Sequence, residues 1–126
     1  KTLFPYTTLF RSVGGDQFGA VSEAIKEAGI AGVMIGVDKD VALTSPEYAP
    51  YVLTSAEKRM TNAVYDIIKA AAVDKAAYAD YLGNLKNGGT ALSPFGAFDS
   101  KISAETKAAL KKLEEGIIDG SINPLQ

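Results

Sequence analysis

Gly32–Asp38 reads GVMIGVD: seven residues, apolar throughout until a carboxylate closes the run. A stretch this short, rich in Val, Ile and Met and without period-two alternation, predicts a strand buried on both faces, as in a parallel sheet. On its N-terminal side, Val21, Ala24, Ile25 and Ala28 fall at i, i+3, i+4 and i+7, which predicts one stripe of a helix ending at Gly29. On its C-terminal side, Lys39–Pro50 carries Pro46 and Pro50 and reads as a loop, and Tyr51–Ser55 (YVLTS) as a second strand. Thr54 with Glu57 has the form of a capping box for a helix whose stripe is Met60, Ala63, Val64, Ile67, Ile68 and Ala71. Asn87-Gly88 predicts a turn between two short strands within Tyr81–Leu92. Ser93–Ser100 reads as a further loop. Ser103 is positioned to cap a last helix, with Thr106, Leu110, Leu113 and Ile117 on its stripe and an end near Gly120. Strands that alternate with helices predict an α/β fold with a mostly parallel sheet flanked by helices.

The first twelve residues differ in style from everything that follows. Thr2–Ser12, TLFPYTTLFRS, can be back-translated codon for codon into a common sequencing adaptor, so residues 1–12 are expected to be a translated artefact and 13–126 the native part. On this reading Val13 would be the last residue of a first strand cut off by the junction. The β-favouring residues of Tyr6–Phe10 equip the foreign segment to occupy the slot so vacated.

Composition narrows the function classes. Hydrophobic residues make up 47%, net charge is −2, and no basic stripe occurs, which describes a globular chain with no electrostatic footprint for nucleic acid. Cysteine and histidine are both absent, so Cys/His zinc sites, thiol chemistry and Ser-His-Asp relays are excluded within these residues. No apolar run reaches the length of a membrane span.

In open α/β sheets, ligands bind beyond the carboxyl ends of the strands. Three such ends can be located here: Gly14-Gly15-Asp16 after Val13, Asp38 after Val37, and Thr54 with Lys58 after Leu53. The glycines admit close approach to backbone amides at a helix start, or simply make a tight turn. Asp38 offers an acceptor for two hydroxyls, or caps a loop. Lys58, placed in the first turn of the next helix, opposes the helix dipole, so either a ligand oxygen or a carboxylate offsets it or water solvates it. Lys39 and Asp40 read as ordinary loop charges.

Four segments in order, IGVDKD (35–40), SPEYAPYVLTSAEKRMTNAVYDIIKAA (45–71), NLKNGGTALSPFGAFDSKIS (84–103) and LKKLEEGIIDGSI (110–122), give the chain from Val13 onward a resemblance to the C-terminal portion of the basic membrane protein family. These are substrate-binding lipoproteins of ABC transporters, many similar to purine nucleoside receptors. The resemblance implies the C-terminal part of a type 1 periplasmic-binding-protein fold, mostly one lobe, and no catalysis, metal or cofactor. It implies a nucleoside-like solute and an ABC permease as partners. It further implies a cell-surface or periplasmic location through an N-terminal lipid anchor outside this chain. It assigns Asp38 to ribose hydroxyls, Lys58 to a ligand contact, and Gly15 and Asp16 to the loop facing the cleft. The chain departs from the family in GGDQFG, which is less glycine-rich, and in GVDKD, which lacks the usual glutamine after the second acidic position. A ligand-sensing regulator of the same fold is the first alternative, and a nucleotide-dependent α/β enzyme the second. The latter lacks any phosphate-binding motif here.

The adaptor reading is checked at the DNA level. Sequencing clean genomic DNA across this locus is expected to show no codons for Thr2–Ser12 upstream of Val13. Their presence there would make the segment native.

Overall fold

The computed structural model describes residues 8–11, 16–76 and 80–124. Its described elements are β1 (Thr8–Arg11), α1 (Phe18–Ala28), β2 (Gly32–Asp38), a single turn α2 (Val41–Thr44), a 3-10 segment (Pro46–Tyr51), β3 (Val52–Lys58), α3 (Met60–Ala72), β4 (Thr90–Leu92), a second 3-10 segment (Gly96–Lys101) and α4 (Ala104–Asp119). The strands form one sheet in the order β1-β2-β3-β4, and the β1–β2 and β2–β3 pairs are parallel. This is the α/β architecture expected from the sequence. The chain divides into two compact units. The first comprises the chain up to Glu57 with Leu92–Lys101; the second comprises Lys58–Ala91 and the chain from Ile102 onward.

β1 lies in the segment read as adaptor-encoded. It pairs with β2 from Thr8 opposite Gly32 to Arg11 opposite Ile35. An open sheet edge accepts any strand of adequate β-propensity, so the pairing says nothing of the segment's origin. Val13, expected to end a strand, lies outside the described residues.

In the first unit, Met34 at the centre of β2 is fully buried and packs with Phe18, Val41 and Val52 into one cluster. Val21, Ala42, Tyr48 and Tyr51 close over it. Burying each such large side chain contributes about 1.5–3 kcal/mol. Burial alternates along β2: Gly32, Met34 and Gly36 are buried, whereas Val33, Ile35 and Val37 are only partly so. The expected burial on both faces is therefore complete on one face only.

The α1 stripe differs from the expected one. Its buried residues are Phe18, Ser22 and Ile25, while Ala24 and Ala28 are exposed. Ser22 escapes a hydrophobic pattern, yet its hydroxyl donates to the Phe18 carbonyl at 2.8 Å and so enters the core satisfied. Gly29 ends the helix as expected, at φ 61° in the left-handed region that favours glycine.

β3 runs three residues beyond the predicted Ser55 and begins one later, at Val52. Thr54 does not cap α3. It lies in the strand, 5% exposed, and its hydroxyl donates to the Ser93 carbonyl at 2.7 Å. The N-cap of α3 is Arg59, which makes no side-chain capping bond. A bulge resets the faces of β3. Met34 pairs with Val52 but Ile35 with Thr54, so Leu53 is the extra residue and Ser55, opposite Gly36, falls on the same face as Val52, while Thr54 is buried on the other face.

The Lys39–Pro50 and Ser93–Ser100 stretches, read as loops, contain α2 and the two 3-10 segments. Asp40 caps α2 by accepting the Leu43 amide at 3.2 Å.

In the second unit, α3 has no buried residue, and α4 buries only Gly116. Much of the stripe expected to face a core is exposed, with Met60 65%, Val64 51%, Ile68 60% and, on α4, Leu113 49%, while Ala63, Leu110 and Ile117 are half-buried. Ser103 caps α4, accepting the Thr106 amide at 3.1 Å, and Gly120 ends it at φ 83°. The Asn87-Gly88 turn joins no hairpin, since β4 is the only described strand between Tyr81 and Leu92. The loop's amides instead go to asparagine side chains: Asn84 and Asn87 each accept the other's backbone N–H.

Gly36 sits where β2, β3 and α2 meet. A Cβ there would run into the Ser55 hydroxyl and lie 2.6 Å from Val41 Cγ2, both groups being buried. Gly36→Ala is expected to cost about 1–3 kcal/mol through overpacking. A denaturation midpoint equal to the wild type would show that the site has room to relax.

Candidate functional site

The carboxyl ends of β2 and β3 point the same way because the strands are parallel, and Asp38 pairs in register with Glu57 at that edge. Asp38 is exposed and adopts φ 72°. A non-glycine residue in the left-handed region costs about 1–2 kcal/mol, less for Asp, whose short side chain bonds locally. The strained turn aims the chain from β2 into Asp40 and α2.

What holds that turn is polar and buried. Ser55 Oγ accepts the Val41 amide at 3.1 Å, and Ser55 is 0% exposed. Ser93 Oγ in turn accepts the Ser55 amide at 2.8 Å, and the Ser93 amide donates to the Ser55 carbonyl at 2.8 Å. With Thr54 on the Ser93 carbonyl, these bonds tie the loop after β2, the middle of β3 and the segment after β4 together. Among the described residues, no buried side-chain nitrogen or oxygen lacks a partner.

Asp16 joins this edge from the turn before α1. Its carboxylate lies 3.4 Å from the Lys39 ammonium, and the same ammonium sits 5.3 Å from the centre of the Phe18 ring. Phe18 meets Tyr48 edge-on, with centroids 5.6 Å apart. Lys39 is therefore not an ordinary loop charge: it links the turn before α1 to the turn after β2. The pair is exposed and contributes at most about 1 kcal/mol, so it orients rather than stabilises.

Of the four residues singled out from the sequence, Asp16 and Asp38 come to one edge of the first unit. Gly15 lies outside the described residues. Lys58 is not in a helix: it is the last residue of β3, in strand conformation, and belongs to the second unit. The helix-dipole argument for it therefore falls, because α3 begins only at Met60. Sequence reasoning missed Ser55 and Ser93, since buried serines carry no periodic signal. It also missed Lys39, whose one hint was its place directly after the strand-ending aspartate.

In the second unit, Tyr81 donates to Asp66 Oδ2 at 3.5 Å, and partial burial together with that carboxylate pushes its hydroxyl pKa above the usual tyrosine value. Among the described residues, no group of three His, Cys, Asp or Glu side chains is placed to hold a metal ion. No described helix is long and apolar enough to cross a membrane.

The fold is that of the periplasmic-binding-protein class. The chain superposes on a transcriptional activator of the comK gene from Bacillus halodurans with a TM-score of 0.72 and 20% identity, over 93% of this chain and 38% of that one. It superposes on an ABC transporter solute-binding protein from Aeropyrum pernix K1 with a TM-score of 0.70 and 23% identity, over 92% of this chain and 40% of that one. The chain thus spans about two fifths of the length of either protein. No protein-family model matches the chain, and no curated protein does.

The left-handed turn is tested by two substitutions at one position. Asp38→Gly is expected to be more stable than Asp38→Val by about 1–2 kcal/mol, because glycine accepts positive φ and a β-branched residue does not. Equal unfolding free energies would mean that the turn is not held at φ 72° in solution.

Proposed function

We propose that this chain is the C-terminal portion of a solute-binding protein that captures a nucleoside-like solute by cleft closure and presents it to an ABC permease. The likeness of fold to the Aeropyrum solute-binding protein supports the transport class. The observation that carries the site is the position of Asp38. It is an exposed carboxylate at the ligand edge of a parallel sheet, on a turn whose backbone is strained and whose anchor, Ser55, is buried. A carboxylate there accepts two hydroxyl hydrogen bonds at once, the pattern a ribose diol offers. Asp16 lies at the same edge and Lys39 orients it. Binding energy drives closure of one lobe on the other, and no bond is made or broken. The protein acts outside the cytoplasmic membrane, held by a lipid anchor on its N-terminal portion.

The likeness to the comK activator supports a second reading, in which the same fold senses a ligand for a transcriptional response. The two readings part upstream of this chain. A lipoprotein signal belongs to the first and a DNA-binding segment to the second.

Calorimetry on the full-length protein tests the site. Asp38→Ala removes a charged acceptor, and hydrogen bonds to charged groups contribute about 1.5–3 kcal/mol, roughly a 10- to 150-fold loss of affinity. The loss is expected for a nucleoside and not for its free base, which has no diol. Equal nucleoside affinities across the substitution would reduce Asp38 to a loop residue.

A further inference from the structure

Asn87-Gly88 is the sole Asn-Gly pair in the chain, and this dipeptide is chemically the most prone to deamidation because glycine leaves the following amide unhindered. In the structure every group needed for the reaction is engaged. Asn87 Oδ1 accepts the Asn84 amide at 2.8 Å and the Gly89 amide at 3.0 Å. Asn87 Nδ2 donates to the Leu82 carbonyl at 2.9 Å, and the Asn87 amide donates to Asn84 Oδ1 at 3.0 Å. The nucleophile itself, the Gly88 amide, donates to the Leu85 carbonyl at 3.3 Å. Asn87 is nevertheless exposed, so water reaches the site whenever these bonds open.

We propose that Asn87 is a deamidation site gated by its own loop: inert while the loop is closed and reactive when it opens. In the open loop the Gly88 amide nitrogen gives up its proton and bonds to Asn87 Cγ. The Cγ–Nδ2 bond breaks and Nδ2 leaves as ammonia, forming a cyclic imide. Water then opens the ring at either carbonyl, to aspartate or isoaspartate. Neither product restores the closed loop. Aspartate puts an oxygen where Nδ2 donated, so two acceptors face each other at the Leu82 carbonyl. Isoaspartate also adds a methylene to the backbone between Asn84 and Gly89. That backbone carries the acceptors of the α3 entry, since the Gly89 carbonyl takes the Arg59 amide at 2.9 Å and the Gly88 carbonyl takes Asn62 Nδ2 at 2.9 Å. Arg59 follows Lys58 directly, so each opening carries a risk of permanently loosening the chain beside that lysine.

The test follows Asn87 by peptide-mapping mass spectrometry in the full chain, incubated at mildly alkaline pH with and without urea. Conversion in the folded chain is expected to be at least about tenfold slower than in urea, since the loop must first open. Asn84→Ala removes the acceptor that holds the Asn87 amide and is expected to raise the folded rate toward the urea rate while leaving the urea rate unchanged. Equal rates with and without urea would overturn the gating. So would an Asn84→Ala chain that converts no faster than wild type when folded.

Discussion

Ser55 Oγ accepts the Val41 amide from a site with no access to water, and the turn at the carboxyl end of β2 depends on that bond. Val41 follows the Asp38–Asp40 turn by one residue, and its side chain is itself fully buried. The amide of a helix's first residue has no partner within the helix, so a buried one must be met from outside. Without Ser55 the Val41 amide would lose its partner, at about 1–3 kcal/mol, and the strained turn before it would lose its tether. The close approach of Gly36 to the same hydroxyl shows how little space the arrangement leaves.

The bulge at Leu53 makes that bond geometrically available. A regular strand would alternate its side chains between the two faces and bury every second residue. The extra residue sets Ser55 on the same face as Val52, where it accepts the Val41 amide, and leaves Thr54 buried on the other face, where it donates to the Ser93 carbonyl. Among the described residues every buried side-chain nitrogen and oxygen has a partner, and satisfied polar networks of this kind favour a single arrangement. Asp38 and the Asp16–Lys39 pair stand exposed above these buried bonds.

The second unit follows a different logic. α3 and α4 are amphipathic, yet many of their large apolar residues are exposed, and local hydrogen bonds hold the unit's turns: the Ser103 cap, the left-handed Gly120 and the asparagine-latched loop before Thr90. Helices of this kind draw most of their stability from packing an apolar face, so α3 and α4 are the less protected elements of the described chain.

From the sequence alone came the α/β class, the parallel setting of GVMIGVD, the helix ends at Gly29 and Gly120 and the Ser103 cap. Each depends on local chemistry: an apolar run without alternation, glycine at positive φ, a hydroxyl three residues before an orphan amide. The strand-end position of Asp38 was legible for the same reason. The tertiary structure decided the rest. Thr54 and Glu57 spell a capping box, but Thr54 is drawn into β3 by pairing with Ile35 and by the Ser93 carbonyl, which lies 39 residues away. Ser22 and Ser55 look solvent-facing until the groups that satisfy them are placed beside them. The apolar stripes of α3 and α4 read as core, but a stripe records only that a helix has an apolar side and not what covers it. A polar residue's role depends on which distant group meets it, and only the folded chain supplies that group.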